Sequence, residues 1–254
     1  MPLATLDTPP STAEESKIRD AIQAGALQHV ALIMDGNRRW AKENNKLSLK
    51  GHYHGYLAFK KIIDHALSLG LPCVTVYAFS TENWKRSSRE VNYLMGLMRF
   101  VFKRETQKLM NDNVRFKILG DYTVFPESIV RFCDETIALT QNNTAMTLQV
   151  AINYGGRSEL IQAIQKIGRA CQEKTLSPGQ ITEDLVSQYL YTHEAPEPDF
   201  IIRTGGEQRT SNFLLWQSAY SELYFTPTYW PDFTPECFEL ALVDYLERSR
   251  RFGQ

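Results

Sequence analysis

The sequence has little of what builds a disulfide, zinc or membrane protein. Its four cysteines, Cys73, Cys133, Cys171 and Cys237, are far apart and show no CxxC or Cys/His spacing, so reduced thiols in a cytoplasmic setting are expected. No run of about eighteen apolar residues occurs, and the opening MPLATLDTPPSTAEESK carries Asp7 and the pair Pro9-Pro10 where a secretory signal needs an apolar core. Neither export nor a membrane span is expected. Charge of one sign is also missing. The formal net charge is −1, which excludes a protein-wide field for nucleic acid and leaves anion binding to local groups of Arg and Lys. There is no internal repeat, no compositional break within the body, and no loop with Walker or GxGxxG spacing.

What is present is the material of a globular core: 254 residues, 43% hydrophobic and 22% charged. Short apolar runs alternate with longer helical patterns. VALIM precedes a helix near His52–Leu69, CVTVYAF one near Glu90–Met110, and VRFKIL one near Glu127–Thr140. MTLQVAI is followed by a helix near Ser158–Glu173, then FIIR, ELYF and a last helix near Pro235–Arg250. Strands apolar throughout and separated by helices predict an α/β fold: a single domain with a central, mostly parallel six-stranded sheet flanked by helices. Residues 1–27 read as an N-terminal tail and short helix, and residues 28–254 as the catalytic domain. Ligands of such sheets bind beyond the carboxyl ends of the strands.

Three clusters sit at those ends. The first is Asp35-Gly36-Asn37-Arg38-Arg39-Trp40. Glycine lets backbone approach a ligand, helix-opening amides favour phosphate, Arg39 offers a bidentate contact, and Asp35 is the hard oxygen ligand that Mg²⁺ takes alongside substrate phosphates. Taken alone, a helix cap with solvated arginines explains it equally well. The second, Phe79-Ser80-Thr81-Glu82-Asn83-Trp84-Lys85-Arg86, is by itself better explained as a helix cap with a packed tryptophan. The third, Arg203-Thr204-Gly205-Gly206-Glu207-Gln208-Arg209-Thr210-Ser211-Asn212, combines two arginines with a Gly-Gly turn and hydroxyls, which suits an oxyanion with several oxygens. Together they supply donors for more than one phosphate but few acids, so a single metal held largely by phosphates is the economical reading. The aromatic residues beside them imply an apolar ligand with an anionic head.

The segments HVALIMDGNRRWA, GHYHG, YAFSTENWKRSSREV, AINYGGRSEL and DFIIRTGGEQRTSNFLLWQSAYSELYFTPTYWPDF, running in order from His29 to Gly253, resemble the cis-prenyltransferases. The resemblance implies a homodimeric α/β enzyme that lacks the DDxxD motifs of trans-type synthases, and no two aspartates are adjacent here. It implies repeated condensation of isopentenyl diphosphate onto an allylic diphosphate such as farnesyl diphosphate. The long-chain product, undecaprenyl diphosphate, would be the lipid carrier precursor for cell-wall glycan, and its release would involve loose peripheral membrane contact.

By the same resemblance Asp35 and Asn83 are catalytic, and Asp35 and Glu222 hold Mg²⁺. Gly36, Asn37, Arg38, Arg39, Trp40, Ser48 and His52 bind the allylic diphosphate. Phe79, Ser80, Thr81, Glu82, Trp84, Arg86 and Glu90 position the reacting carbons. Arg203, Arg209 and Ser211 bind isopentenyl diphosphate, with Arg251 and Gly253 reaching across the dimer to the partner's site. Ser48 stands where many bacterial relatives have Arg, so Lys46 or Lys50 supplies the cation there; Gln208 stands where some have His. A haloacid-dehalogenase-like phosphatase would need a second Asp two residues after Asp35, where Asn37 stands. A non-catalytic accessory subunit is opposed by Asp35 and the intact RTGGEQRTS. A short- or medium-chain synthase remains the alternative.

Overall fold

A computed structural model describes residues 12–248. Helix α1 (Thr12–Gln23) leads to strand β1 (His29–Ile33), the short helix α2 (Asn37–Glu43) and the long helix α3 (Ser48–Leu69). Strand β2 (Cys73–Ser80), helix α4 (Ser88–Asn111), strand β3 (Val114–Leu119), helix α5 (Glu127–Thr140) and strand β4 (Met146–Tyr154) follow. Helices α6 (Gly156–Gln172) and α7 (Glu183–Gln188), strands β5 (Phe200–Arg203) and β6 (Glu222–Phe225) and helix α8 (Pro235–Glu247) complete the chain.

The six strands form one sheet in the order β3-β4-β2-β1-β5-β6, and every pair is parallel. All five residues of β1 and all four of β5 are buried, as expected of strands covered on both faces. From β1 the chain moves to β2 on one side and later returns to add β5 and β6 on the other. The crevice between the carboxyl ends of β1 and β5 is therefore the topological switch point, where open α/β sheets bind ligands. Asp35 lies just past the end of β1, and Arg203 ends β5.

Helix α1 is part of this body. Ile18, Ile22 and Leu27 are buried in the same core as Phe238 and Leu242 of α8, and the Tyr245 hydroxyl donates to the Ala26 carbonyl at 2.9 Å. The short helices α2 and α7 have no counterpart among the runs read from periodicity, because a helix of two turns shows too few repeats of an apolar face. Pairing of β2 with β4 shifts register between Tyr77 and Ser80. Such irregularities near sites re-aim side chains; here Asn153, at φ +46°, turns its Oδ1 to accept the Trp84 indole N–H at 2.8 Å.

At the opposite, amino-terminal end of the sheet lies a fully buried histidine. His29 Nδ1 is 2.7 Å from the Pro196 carbonyl, and Nε2 is 2.7 Å from Thr75 Oγ1, which in turn is 2.8 Å from Gln149 Oε1. Burial pushes its pKa down to about 4 from 6.5, against the raising effects of the Pro196 carbonyl and Asp199. Between those values the unfolded chain binds a proton that the fold refuses, so this contribution to stability is complete above pH 6.5 and is lost as pH falls toward 4. Denaturant unfolding between neutral pH and pH 4.5 should show an acid loss of about 2–3 kcal/mol from this group. His29→Gln should remove that component of the pH dependence; an unchanged profile would assign the loss to other groups.

Candidate active site

The turn after β1 is fixed before any side chain acts. The Asp35 N–H donates to Thr204 Oγ1 at 3.0 Å, the Thr204 hydroxyl donates to the Asp35 carbonyl at 2.7 Å, and the Trp230 N–H donates to the same carbonyl at 3.0 Å. Gly36 has φ +105°, and a Cβ there would stand 2.7 Å from the Tyr229 ring. Gly205 has φ +85°, and a Cβ there would stand 2.8 Å from an Arg39 nitrogen and 3.1 Å from the Asp35 carbonyl carbon. Glycine is required at both positions by conformation and by space.

Asp35 Oδ1 accepts the Gly36 N–H at 2.7 Å, and Oδ2 accepts Arg203 Nη2 at 2.8 Å; Arg39 Nη2 lies 3.3 Å from Oδ1. Burial acts to raise the Asp35 pKa, but the hydrogen bond and charge of Arg203, then the Gly36 amide and Arg39, hold it below the usual carboxylate range. Asp35 is therefore an anion at neutral pH. Arg203, itself buried, also donates through Nη1 to the Arg209 carbonyl at 2.6 Å and to Ser211 Oγ at 2.7 Å. Its Nε has no partner among the described residues. Arg209 reaches Glu207 at 2.5 Å, and Glu207 lies 3.5 Å from Arg39. The first and third clusters are thus one site.

Next to this pair opens a polar cleft lined by Asp35, Arg38, Arg39, Lys42, Lys46 and Arg86, with Ser48 and His52 also in its wall. Five cations and one acid give it an anion-binding character. Of the two lysines named as replacements for an arginine at Ser48, Lys46 lies here. Lys42 was not foreseen, although it falls one helical turn after Arg38 on α2. Glu90 gathers the far side: Arg86 Nη1 donates to it at 2.8 Å, Arg38 lies 3.6 Å away and His52 Nε2 3.3 Å. Burial would raise the Glu90 pKa, but Arg86 and then Arg38 keep it low; burial and the nearby Arg86 lower that of His52.

Of the second cluster only Arg86 lines this cleft, and the rest of it meets the third cluster at Glu82. Ser80 and Asn83 cap the 3-10 turn Thr81–Lys85 reciprocally, with the Ser80 N–H donating to Asn83 Oδ1 at 3.2 Å. Trp84 packs on Phe79 and Phe125 with ring centroids 5.1 and 5.3 Å apart, and Glu82 accepts from Asn212 Nδ2 at 3.2 Å. Behind the cleft, between α3, α4 and strands β2, β3 and β4, runs an apolar cavity of about 210 Å³. Met34, Asn37 and His52 line both spaces. Phe59, Ile63, Leu94 and Leu97 form its walls, and on α3 it extends from His52 to Leu67, about 22 Å at 1.5 Å per residue.

Several predicted residues are placed elsewhere. Trp40 is buried, its indole N–H donates to Asp232 at 2.7 Å, and it does not face the cleft, because α2 turns that side toward the body. Phe79 is wholly buried and supports Trp84 from behind. Glu222 is not brought to Asp35 within one chain. It opens β6 level with Phe200 and Val30, at the amino-terminal end of the parallel sheet, and pairs with Arg248 at 2.9 Å. Arg251 and Gly253 lie outside the described residues. No group of three or more His, Cys, Asp or Glu side chains suited to a metal occurs among the described residues. A lone carboxylate in a cationic cleft does fit Mg²⁺ bound through one acid and substrate phosphates.

A family model described as "Putative undecaprenyl diphosphate synthase" matches residues 33–253. The ditrans,polycis-undecaprenyl-diphosphate synthase of Pasteurella multocida is 45% identical over 226 residues, covering 89% of this chain and 94% of that protein. The Escherichia coli K12 enzyme of the same name is 42% identical, covering 93% of each chain; both names specify (2E,6E)-farnesyl diphosphate. The crystal structure of lavandulyl diphosphate synthase from Lavandula x intermedia with dimethylallyl diphosphate superposes with a TM-score of 0.87 at 37% identity, covering 89% of this chain and 98% of that one.

Inorganic pyrophosphate should bind the cationic cleft, and calorimetry should find the affinity lowered about tenfold or more by Arg39→Ala, as for loss of a charge-assisted contact. Gly205→Ala should weaken it similarly by displacing Arg39. Unchanged affinity in both variants would place the anion site elsewhere.

Proposed function

The chain belongs to the undecaprenyl diphosphate synthase family of cis-prenyltransferases, and from that premise we propose how this site works on its two substrates. The enzyme is a prenyltransferase that elongates farnesyl diphosphate with isopentenyl diphosphate units to undecaprenyl diphosphate. The observation that carries the proposed substrate placement is the adjacency of two spaces: a cleft with five cations and a mainly apolar cavity share Met34, Asn37 and His52 in their walls. The diphosphate of the allylic substrate occupies the first and its hydrocarbon the second.

In each cycle the allylic carbon–oxygen bond breaks, a carbon–carbon bond to isopentenyl diphosphate forms and a proton leaves. Arg39, Arg38 and Arg86 hold the departing diphosphate, whose developing charge they stabilise more than the charge of the bound ester. Arg203, Arg209 and Ser211 hold the diphosphate of isopentenyl diphosphate. The Asp35–Arg203 pair keeps the two head groups side by side across the β1–β5 crevice. Asp35 is the protein ligand for Mg²⁺, which when bound supplies further neutralisation of diphosphate charge. Asn83 holds Ser80 at the wall, and Trp84 and Phe79 keep water from the electron-deficient chain end.

Each added unit buries five carbons at about 0.8 kcal/mol each, about 4 kcal/mol, so elongation is favoured while the tunnel accepts carbon. This favours a long product over the short- or medium-chain alternative, with a role as the lipid carrier precursor for cell-wall glycan. Release of such a product would be slow and draws on peripheral contact with lipid; among the described residues no helix is long and apolar enough to cross a membrane. The homodimer is supported by the exposed Tyr220, next to edge strand β6, and Leu223, within it; the role in the partner's site that the resemblance implies for Arg251 and Gly253 falls outside the described residues. A cytoplasmic setting suits four unpaired thiols, of which burial pushes Cys73 and Cys133 up to about 12.

Purified protein alone should incorporate labelled isopentenyl diphosphate into farnesyl diphosphate and yield a long-chain product on chromatography; single-addition products would support the short-chain reading, and no incorporation the accessory one. Asp35→Ala should abolish turnover with the fold intact. Near-normal, equally Mg²⁺-dependent turnover would refute its metal role. Arg203→Ala should mainly raise KM for isopentenyl diphosphate, whereas a selective effect on the allylic substrate would reverse the assignment.

A further inference from the structure

Ser211, Asn212 and Leu214 all have left-handed backbone, at φ +52°, +66° and +45°. Such conformations are unfavourable for residues other than glycine, least so for asparagine, and persist where surrounding contacts enforce them. The contacts converge on Asn212. Its carbonyl accepts the Gly156 N–H at 2.7 Å, its Oδ1 accepts the Arg157 N–H at 2.9 Å, and its Nδ2 donates to Glu82 Oε1 at 3.2 Å.

The first two partners open α6, whose leading N–H groups have no acceptor within the helix. The preceding residue, Gly155, has no side chain to cap them, so a residue from a distant loop does so. The third partner belongs to the 3-10 turn that carries Asn83 and Trp84. A Cβ at Gly155 would stand 2.7 Å from Asn212 Nδ2 and 2.9 Å from Thr81 Oγ1, so three chain segments meet where only hydrogen fits. One residue earlier, Ser211 Oγ accepts from Arg203. One residue later, Phe213 stacks on Tyr77 with centroids 4.6 Å apart.

We propose that Asn212 is a positioning residue for isopentenyl diphosphate, fastening the Arg203–Ser211 loop to the α6 amino terminus and to Glu82. The inference rests on the reading of that loop as the isopentenyl diphosphate site. Asn212 acts at a distance from the reacting atoms; it fixes Ser211, and through it Arg203, against the 3-10 turn that bears Glu82 and Trp84. The Arg203–Ser211 loop, the α6 amino terminus and the Thr81–Lys85 turn are thereby built as one unit.

Asn212→Gly keeps the left-handed backbone without strain while deleting both side-chain bonds. Steady-state kinetics should show KM for isopentenyl diphosphate raised about tenfold with KM for farnesyl diphosphate nearly unchanged. Gly155→Ala, which leaves Asn212 in place and pushes it away, should shift the same constant in the same direction. Asn212→Asp sets a carboxylate against Glu82 and should be worse than Asn212→Gly. Adding Glu82→Gln to Asn212→Asp restores one donor and one acceptor with the polarity reversed, and should bring KM for isopentenyl diphosphate well below that of Asn212→Asp alone. A role in folding alone would lower the thermal midpoint without this selective and reversible change in KM. If Arg203→Ala raises KM for isopentenyl diphosphate but Asn212→Gly does not, or the polarity swap fails to rescue, the inference is overturned while the site assignment stands. If Arg203→Ala also leaves that KM unchanged, the assignment fails and the inference falls with it.

Discussion

The ion pair between Asp35 and Arg203 spans the point where the sheet changes direction, and the rest of the site is arranged around it. Neither residue is held by the pair alone. Thr204 and Trp230 pin the backbone of Asp35, while the Arg209 carbonyl and Ser211 hydroxyl hold the other nitrogen of Arg203. A partly buried acid and a buried guanidinium are costly to leave unpaired, so the loops after β1 and β5 are tied to one another. Gly36 and Gly205 permit that closeness; with a side chain at Gly205, Arg39 and the Asp35 backbone would have to part.

The second constraint is the meeting of opposite solvents. On one side of Met34, Asn37 and His52 the walls are charged, and on the other they are mostly aliphatic and aromatic, with Lys60, Asp64, Glu105, Lys108 and Asp112 among them. A ligand that satisfies both has an anionic head and a long apolar body. The same junction separates the side chains: arginines and lysines gather on one side, and the apolar faces of α3 and α4 on the other. The lavandulyl diphosphate synthase fold is very similar, so the architecture alone does not distinguish the two enzymes' products, as fold and function are separable.

Much of this was legible in the sequence because parallel strands send their carboxyl ends to one edge. Once VALIM, CVTVYAF and FIIR were recognised as strands, Asp35, Ser80 and Arg203 had to lie along a common crevice. FIIR and ELYF coincide with β5 and β6, and Glu127–Thr140 with α5. What a run of letters does not carry is facing and direction. Trp40 is one residue from Arg39, yet a helix turns successive side chains by 100°, and the tryptophan goes inward. Glu222 opens its strand; in a parallel sheet that places it away from the crevice. Asn212 and Asn153 act through backbone conformations that no periodicity reveals.

The division of substrates across the Asp35–Arg203 pair is tested most directly by a crystal structure with isopentenyl diphosphate and an unreactive thio-analogue of farnesyl diphosphate. The account predicts the allylic head group against Arg39 with its chain between α3 and α4, and isopentenyl diphosphate on Arg203, Arg209 and Ser211. An allylic diphosphate bound to Arg203, or a chain lying outside the tunnel, would contradict it.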